Sequence, residues 1–554
     1  MTNVSVVEPP ATSDPPLYSG SGATSDNRTL TSFNPATGEP VGFVPLLGRE
    51  GIEAAIVTAQ DAQPAWASLS VAERATYLRA LRREIVAEAE EIARLISAEQ
   101  GKPVVEALSI ELFPSATLLK YLEGEAPRLL AAQPVAPRQP LMGTKRNAYH
   151  YEPLGVVAII SPWNYPFAIP FGQIATALVA GNAVILKPSP FTPLVGQKIA
   201  DLGRRAGLPT GVLQVIHLED ADAPALTAHP GIGKILFTGS LATGRKVMAA
   251  ASTVPTPVVL ELSGKDPALV CADADLARAV PGIVWSALAN AGQTCASVER
   301  VYVERPIAEA FTRRVVEEVR RLRVGDPADP NVEVGALTNE QQIHIVEEQV
   351  ADALAKGATL LVGGYRLQRP GYFYAPTVIS DVDHSMRLMA DETFGPVLPI
   401  MVCDSMDEAI GLANQSSYGL TASIWTRDMG KAQALAERIR AGAVIVNDHA
   451  AHWGEPTASW GGTGHSGFGR TRGPQGLLEM VNAKWISLDS RRGQLDPWWY
   501  PYNEGALHLL RNAIRFLFGP TERRAYALAT LLLNPRTYQR VNILRFLASV
   551  RKWL

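Results

Sequence analysis

Between Tyr149 and Ser240 the chain runs through GVVAII (155–160), NAVILK (182–187), LQVIHL (213–218) and KILFT (234–238), each separated from the next by a stretch long enough for a helix. Short β-branched runs alternating with helices build a parallel, doubly wound sheet, and such a sheet binds its ligand at the carboxyl ends of its strands. Chemistry is therefore expected just after these runs. A second alternation extends from Pro267 to about Asn447, with VYVER (301–305), TLLVGG (359–364), VLPIMV (397–402), ASIWT (422–426) and GAVIVN (442–447) as its strands. The fold class read from this is α/β, with two doubly wound α/β domains and a cleft between them.

Upstream, SFNPATGEPVGFVPLL (32–47) is extended, with Pro and Gly turns, and Glu50 to Gln100 reads as two amphipathic helices forming a surface scaffold. The first thirty residues are rich in Pro, Ser, Thr and Gly and have no apolar run behind a basic start. They read as a disordered leader, neither a secretory signal nor a spanning helix. A length of 554 residues allows three or four domains and excludes a small disulfide-stapled protein. With 51 basic against 54 acidic residues, a net −3, no overall field draws the chain to nucleic acid. Cys271, Cys295 and Cys403 form neither a disulfide framework nor a zinc-ligand spacing, so no metal is expected and a reducing, cytoplasmic location is.

The end of the chain differs. Beyond Asp496 nine basic residues face only Glu504 and Glu522, a net +7. Leu507, Leu510, Ile514, Leu517 and Phe518 fall on one helical face, with His508, Arg511, Asn512 and Arg515 opposite; Ile543, Phe546, Leu547, Val550 and Leu554 repeat the pattern. No apolar run is long enough to span a bilayer. Basic amphipathic helices led by Trp498, Trp499 and Tyr500 suit either peripheral contact with a membrane surface through residues 496–554 or packing on the protein's own subunits, and the sequence leaves both open.

Among the thiols, Cys271 and Cys403 follow apolar runs and read as buried and inert. Cys295, in ALANAGQTCASVER (287–300), stands beside a Gly-Gln break where a substrate can reach it. Glu261, in TPVVLELSGKDPALV (256–270), closes a strand before a Ser-Gly turn; it is either a general base aimed into a cleft or a solvated acid paired with Lys265. Gly239 to Gly244 after KILFT joins a strand to a helix start, either a pyrophosphate site or a plain turn. Lys187 ends a strand and meets either a ribose or solvent. The amide of Asn164 is fixed among Pro162, Trp163, Tyr165 and Pro166, as a developing oxyanion requires.

Taken together these residues resemble the aldehyde dehydrogenase superfamily. SPWNYP (161–166), KPS (187–189), FTGS (237–240), ELSGK (261–265), GQTC (292–295), ETFGPV (392–397) and WGGTGHSGFGR (460–470) occur in that family's order, over roughly residues 31 to 490. The resemblance implies that Cys295 attacks an aldehyde, that Asn164 holds the oxyanion and that Glu261 activates the water that releases a carboxylic acid. It implies a cofactor, NAD or NADP, with Glu392 on the nicotinamide ribose, Phe394 beside the ring, and Trp163, Lys187 and Ser240 along the adenosine and pyrophosphate half. Ser161, Ser189, Gly239, Gly244 and Leu262 complete that set. The implied fold has a cofactor domain (31–131 with 154–262), a catalytic domain (263–474) and a small β oligomerisation arm (132–153 with 475–490), followed here by a basic extension of amphipathic helices (491–554). A homodimer or homotetramer follows from the arm.

Departures from the family bear on cofactor and substrate. Pro190 stands where many NAD-preferring relatives carry an acid, which leaves NAD and NADP both open. Ala289 stands where relatives that oxidise succinic semialdehyde carry an arginine, so an anionic substrate loses its partner. Trp285, Leu288 and Ala289, with Trp453 and Trp460, suggest an apolar tunnel for a fatty, isoprenoid or aromatic aldehyde. Other readings fit parts of the sequence: a semialdehyde dehydrogenase, a thioester or ester hydrolase that keeps the thiol without the cofactor, and a non-catalytic binding protein. The joint presence of Cys295, Glu261 and Asn164 argues against the last.

Overall fold

The computed structural model describes residues 28–489, 495–538, 540, 541, 546–548, 550 and 551. Residues 1–27 of the expected leader, and Ile543, Arg545, Lys552 and Leu554 of the tail, lie outside the described residues. The chain folds as two compact units, one formed up to Pro127 with Pro153–Met480, the other by Arg128–Glu152 with Val481–Leu554.

The first unit holds both expected sheets. In one, the strands run in the order Gly467–Phe468, Val258–Glu261, Lys234–Thr238, Val156–Ile160, Ala183–Lys187, Leu213–Val215, parallel except for the first. Every residue of Val156–Ile160, Ala183–Lys187 and Lys234–Thr238 is buried, as a parallel sheet covered on both faces demands. The chain winds outward from Val156–Ile160 through Ala183–Lys187 to Leu213–Val215, then returns to the other side of Val156–Ile160. That reversal opens a crevice at the carboxyl ends of Val156–Ile160 and Lys234–Thr238, where Ser161 and Gly239 follow. The other sheet has seven strands in the order Thr359–Val362, Thr377–Ser380, Val397–Cys403, Val298–Glu304, Asp266–Val270, Thr421–Trp425, Ala443–Val446; only Thr359–Val362 is antiparallel.

In the second unit Gln133–Val135, Lys145–Pro153 and Val481–Asp489 form a three-stranded sheet with Lys145–Pro153 central. The helices Glu504–Phe518 and Thr521–Leu533 follow. Their core consists of Leu509, Ala513, Leu517, Leu531, Val541, Phe546 and Val550. Packing settles which face of the first helix turns inward: Asn512 is buried, whereas Leu507, Ile514 and Phe518 are 50%, 59% and 66% exposed. The helix carries apolar residues around more than half its circumference, and the narrower face with small Ala506 and Ala513 is the one that allows close packing.

Glu50 to Gln100 forms three helices rather than two: Arg49–Ser68, Val71–Ala87 and Ala89–Gln100. Ser70 and Glu73 make a reciprocal capping box that starts the second, and Glu88 leaves the helical region before the third. Nor are they surface scaffold, because a doubly wound sheet needs cover on each face. Ile52, Ala55, Ile56 and Ala59 pack with Val156, Ala158 and Ile185 in one core cluster. Trp66 is buried and donates its Nε1–H to the carbonyl of Leu178 at 2.9 Å, and Arg74 donates to the carbonyl of Val179 at 2.9 Å, so two side chains satisfy the end of the helix Ala168–Val179. Trp66→Phe removes one donor from the Leu178 carbonyl, which keeps the Gly181 N–H at 2.9 Å, and we expect a loss of about 0.5–1.5 kcal/mol, read as an earlier urea midpoint than the parent protein under the same conditions.

Candidate active site

The helix Leu276–Leu288 ends where Asn290, Ala291 and Gly292 take left-handed φ values of 57°, 53° and 74°. Two non-glycine residues in that region are held there by their surroundings. Asn290 accepts no freedom: its backbone N–H donates to Glu106 Oε2 at 2.8 Å, and its Nδ2 donates to the carbonyls of Asn164 and Gln293 at 2.9 and 3.1 Å. A Cβ on Gly292 would lie 2.0 Å from the Gly395 carbonyl oxygen. The turn delivers Cys295 half-buried to the floor of a cavity of about 240 Å³. Cys271 and Cys403 are buried outright, and burial pushes their thiols up to about 11 and about 12. Burial, followed by the nearby acids Glu261, Asp266 and Glu392, also raises the Cys295 thiol well above its ordinary range. It rests protonated and needs a base.

Glu261 ends the strand Val258–Glu261 and is buried. It is not the solvated partner of Lys265, which instead pairs with Glu299 at 2.7 Å. Glu261 accepts from Thr471 Oγ1 at 2.5 Å and from Thr238 Oγ1 at 3.3 Å. Burial pushes its carboxyl up to about 7, where it can both take and return a proton near neutrality. The next turn meets the nucleophile loop without a gap: a Cβ on Gly264 would lie 2.0 Å from the Cys295 carbonyl oxygen.

Asn164 is buried, with its Nδ2 donating to the Gln293 carbonyl at 3.0 Å, two residues before the thiol. Its own carbonyl accepts from Lys102 Nζ at 2.7 Å, and Lys102 is paired with Glu111 at 2.7 Å. Sequence reasoning singled out none of Lys102, Glu106, Glu111 and Asn290. Their only signal is the Gly-Lys-Pro break at 101–103 within an otherwise helical stretch.

Trp285, Ala289, Trp453 and Trp460 line the cavity; Leu288 does not, and packs instead into the core cluster behind it with Val284 and Trp425. Trp285 is 49% exposed at the rim. Trp453 crosses Trp460 edge to face at 5.0 Å between centroids and donates its Nε1–H to the Ile110 carbonyl at 2.9 Å. His449 in the wall is buried, and burial pulls its ring down to about 4, so it is neutral. No lysine or arginine lines this cavity among the described residues, and Asp448 is its one acid.

Toward the first sheet, the Trp163 ring meets Phe191 and Phe394 edge-on, at 6.5 and 5.3 Å. Phe394 has φ 53°, and its N–H and that of Thr393 both donate to Glu299 at 2.8 Å. Glu392 accepts from the Gly264 N–H at 3.0 Å, and burial pushes its carboxyl up to about 7. Ser240 caps the helix Leu241–Ala251 by accepting from the Thr243 N–H, and Ser189 Oγ accepts from the Phe191 N–H at 3.3 Å. The Gly239 N–H donates to the Glu261 carbonyl at 3.0 Å, while a Cβ on Gly244 would lie 2.5 Å from Leu262 Cδ2, so that helix sits hard against the ELSGK turn. Lys187 is nearly buried, with Nζ 3.4 Å from Asp220 Oδ1. Among the described residues Ser161 Oγ is buried with no hydrogen-bond partner. An unspent hydroxyl at the carboxyl end of the central strand, a buried lysine beside it and a helix start with free N–H groups fit a dinucleotide laid across this edge.

Comparison with known proteins gives the same answer. Residues 23–486 match the model of the aldehyde dehydrogenase family. A 4,4′-diapolycopene aldehyde oxidase of Methylomonas sp. is 38% identical over 494 residues, spanning 89% of this chain and 92% of the relative. Among solved structures, an NAD-dependent aldehyde dehydrogenase from Sinorhizobium meliloti is 35% identical with TM-score 0.81, covering 85% of this chain and 93% of that one. An NADP-dependent enzyme of E. coli is 34% identical with TM-score 0.80, covering 83% and 95%.

Cys295→Ala should abolish aldehyde-dependent cofactor reduction. Glu261→Gln retains an acceptor for Thr471 but no base, and we expect turnover to fall about 10²–10³-fold. In the parent enzyme the carboxyl is protonated below about 7, so activity should rise as pH passes upward through that value; a pH–rate profile of the two proteins side by side checks both the loss and the missing rise.

Proposed function

Since the chain belongs to the aldehyde dehydrogenase family and is an enzyme that oxidises an aldehyde with NAD or NADP, we propose that its substrate is a long apolar aldehyde, taken up at a membrane surface and released as the free carboxylic acid. One observation carries the substrate class: the cavity ending at Cys295 is walled by aromatic and aliphatic side chains and lacks a cation to pair with a distal carboxylate. That the diapolycopene aldehyde oxidase is among the relatives supports this reading.

In the proposed reaction Glu261 takes the proton of the Cys295 thiol, and the sulfur bonds to the aldehyde carbon as the carbonyl π bond breaks onto oxygen. The Asn164 amide and the Cys295 backbone N–H donate to that oxyanion. A bound nicotinamide cofactor would supply the hydride acceptor; Glu392, Phe394 and Trp163 would hold its reactive end, and Lys187, Ser161 and Ser240 its other half. Oxidation leaves an acyl thioester on Cys295. Glu261 gives the thiol's proton up to solvent, then removes a proton from water as the new C–O bond forms, and hands it to the sulfur as the C–S bond breaks, which restores the thiol. Its carboxyl, held near neutrality by burial, suits both proton steps.

Membrane contact rests on the outward stripe of Leu507, Ile514 and Phe518, flanked on the same helix by Arg511 and Arg515, with Trp499, Tyr500 and Tyr502 exposed ahead of it. A helix of this composition lies in the interface of an anionic bilayer. Among the described residues no helix is long and apolar enough to cross a membrane. Assembly as a homodimer or homotetramer is supported by Val481–Asp489, an edge strand nine residues long with exposed Trp485 and Leu488, which invites pairing with a second copy. Three free thiols suit a cytoplasmic location.

With aldehydes of increasing chain length, kcat/KM should climb by about threefold or more per added pair of methylenes until the cavity is filled, and succinic semialdehyde should be a poor substrate; the reverse ranking in a reduction assay overturns the substrate class. For the surface, a Leu507→Ser, Ile514→Ser, Phe518→Ser variant should lose co-sedimentation with vesicles containing anionic lipid while keeping turnover of a short soluble aldehyde. Equal binding by both proteins would refute the membrane reading.

A further inference from the structure

A fully buried ion pair sits behind the active site and spends its hydrogen bonds on one turn. Lys102 and Glu111 are both inaccessible to solvent and lie 2.7 Å apart. Lys102 Nζ also donates to the Asn164 carbonyl at 2.7 Å and stands 4.0 Å from the centroid of the Tyr165 ring. Glu111 Oε2 accepts from the backbone N–H groups of Phe167 and Ala168 at 2.8 and 3.0 Å. Among the described residues, every side-chain hydrogen bond of the pair beyond itself thus goes to residues 164–168. Tyr165 extends the link, its hydroxyl 2.7 Å from Thr294 Oγ1, next to the nucleophile.

Buried ion pairs seldom add net stability over apolar residues of the same size, so their presence calls for a reason other than holding the fold. The local backbone points to one. Between Lys102 and Glu111 the chain makes a π-helical turn, Ala107–Leu112, and such turns re-aim side chains at functional sites. Here the turn sends Glu111 inward while Ser109 and Ile110 face the substrate cavity.

We propose that Lys102 and Glu111 are positioning residues that fix the peptide of Asn164, and through it the amide that binds the oxyanion. The pair grips the turn on both sides of the asparagine: Lys102 holds its carbonyl, and Glu111 holds the N–H groups that follow. Neither touches the substrate. Asn290 makes a second bond to the same carbonyl, so the asparagine is tied at once to the nucleophile loop and to the cavity wall. This inference rests on the reading of Asn164 as oxyanion donor.

A double-mutant cycle tests it in the full-length enzyme. Asn164→Ala alone should lower kcat about 10²–10³-fold; unchanged kcat would sink the asparagine reading itself. Glu111→Gln, which keeps the volume, and the charge-neutral Lys102→Met, Glu111→Gln double variant should lower kcat by about 10-fold to 10²-fold, with KM and cofactor Kd changed less than about twofold. Alkylation of Cys295 by iodoacetamide, which develops no carbonyl oxyanion, should keep its parental rate, which a general loss of structure would not allow. Added to Asn164→Ala, the same changes should cost less than about threefold, because the group they position is gone. The proposal is overturned if their full cost persists in the Asn164→Ala background, or if kcat of both variants stays within twofold of the parent. Should the double variant fail to fold, Glu111→Gln and its cycle with Asn164→Ala decide the matter alone.

Discussion

The Cys295 carbonyl oxygen occupies the place where residue 264 would carry its Cβ. That single close approach, possible only with glycine, brings the end of the strand Val258–Glu261 from one sheet against the nucleophile loop that precedes Val298–Glu304 in the other. Around it the neighbouring backbone is fixed to match. Glu392 accepts from the Gly264 N–H, Gly292 backs onto the Gly395 carbonyl, and Gly467 pairs with Glu261 across an antiparallel step. Each tolerates little displacement, because atoms already in contact leave no void to move into.

Such closeness removes water, and removing water decides the electrostatics. Glu261 and Glu392 are both pushed up to about 7, and the thiol is raised too, so burial here disfavours charge. Two buried ion pairs remain, Lys265 with Glu299 under the ETFGPV turn and Lys102 with Glu111 under SPWNYP. In both pairs the carboxylate accepts from two consecutive backbone N–H groups. Glu299 accepts from the Thr393 and Phe394 N–H groups and thereby holds Phe394 in its left-handed conformation, as Glu111 accepts from Phe167 and Ala168.

Much of this architecture was legible in the chain. The β-branched runs marked both sheets, and the α/β class follows from their alternation with helices. Lys187 and Glu261 each left two readings open, because a strand-end charge looks the same in sequence whether it faces a cleft or solvent; burial and the partner each one keeps separate them. The break between the first two helices was written as Ser70 with Glu73, a capping signal hidden inside a continuous amphipathic pattern. Lys102 and Glu111 carried almost no signal, since charged residues at helical spacing ordinarily point outward and only tertiary structure shows these two inside. Periodicity marked Glu504–Phe518 as amphipathic but left open which face turns inward: apolar side chains fall on two adjoining stripes, and packing selected the one with the small residues.

The shielded state of Cys295 sets how the protein ages. Peroxide and related oxidants react with thiolates far faster than with thiols. A protein waiting without aldehyde therefore presents them with a poor target at Cys295, and Cys271 and Cys403 are out of reach. The reactive anion exists only in the interval between loss of its proton and capture by a carbonyl. Oxidation at Cys295 should accordingly be slower in the idle protein than during turnover.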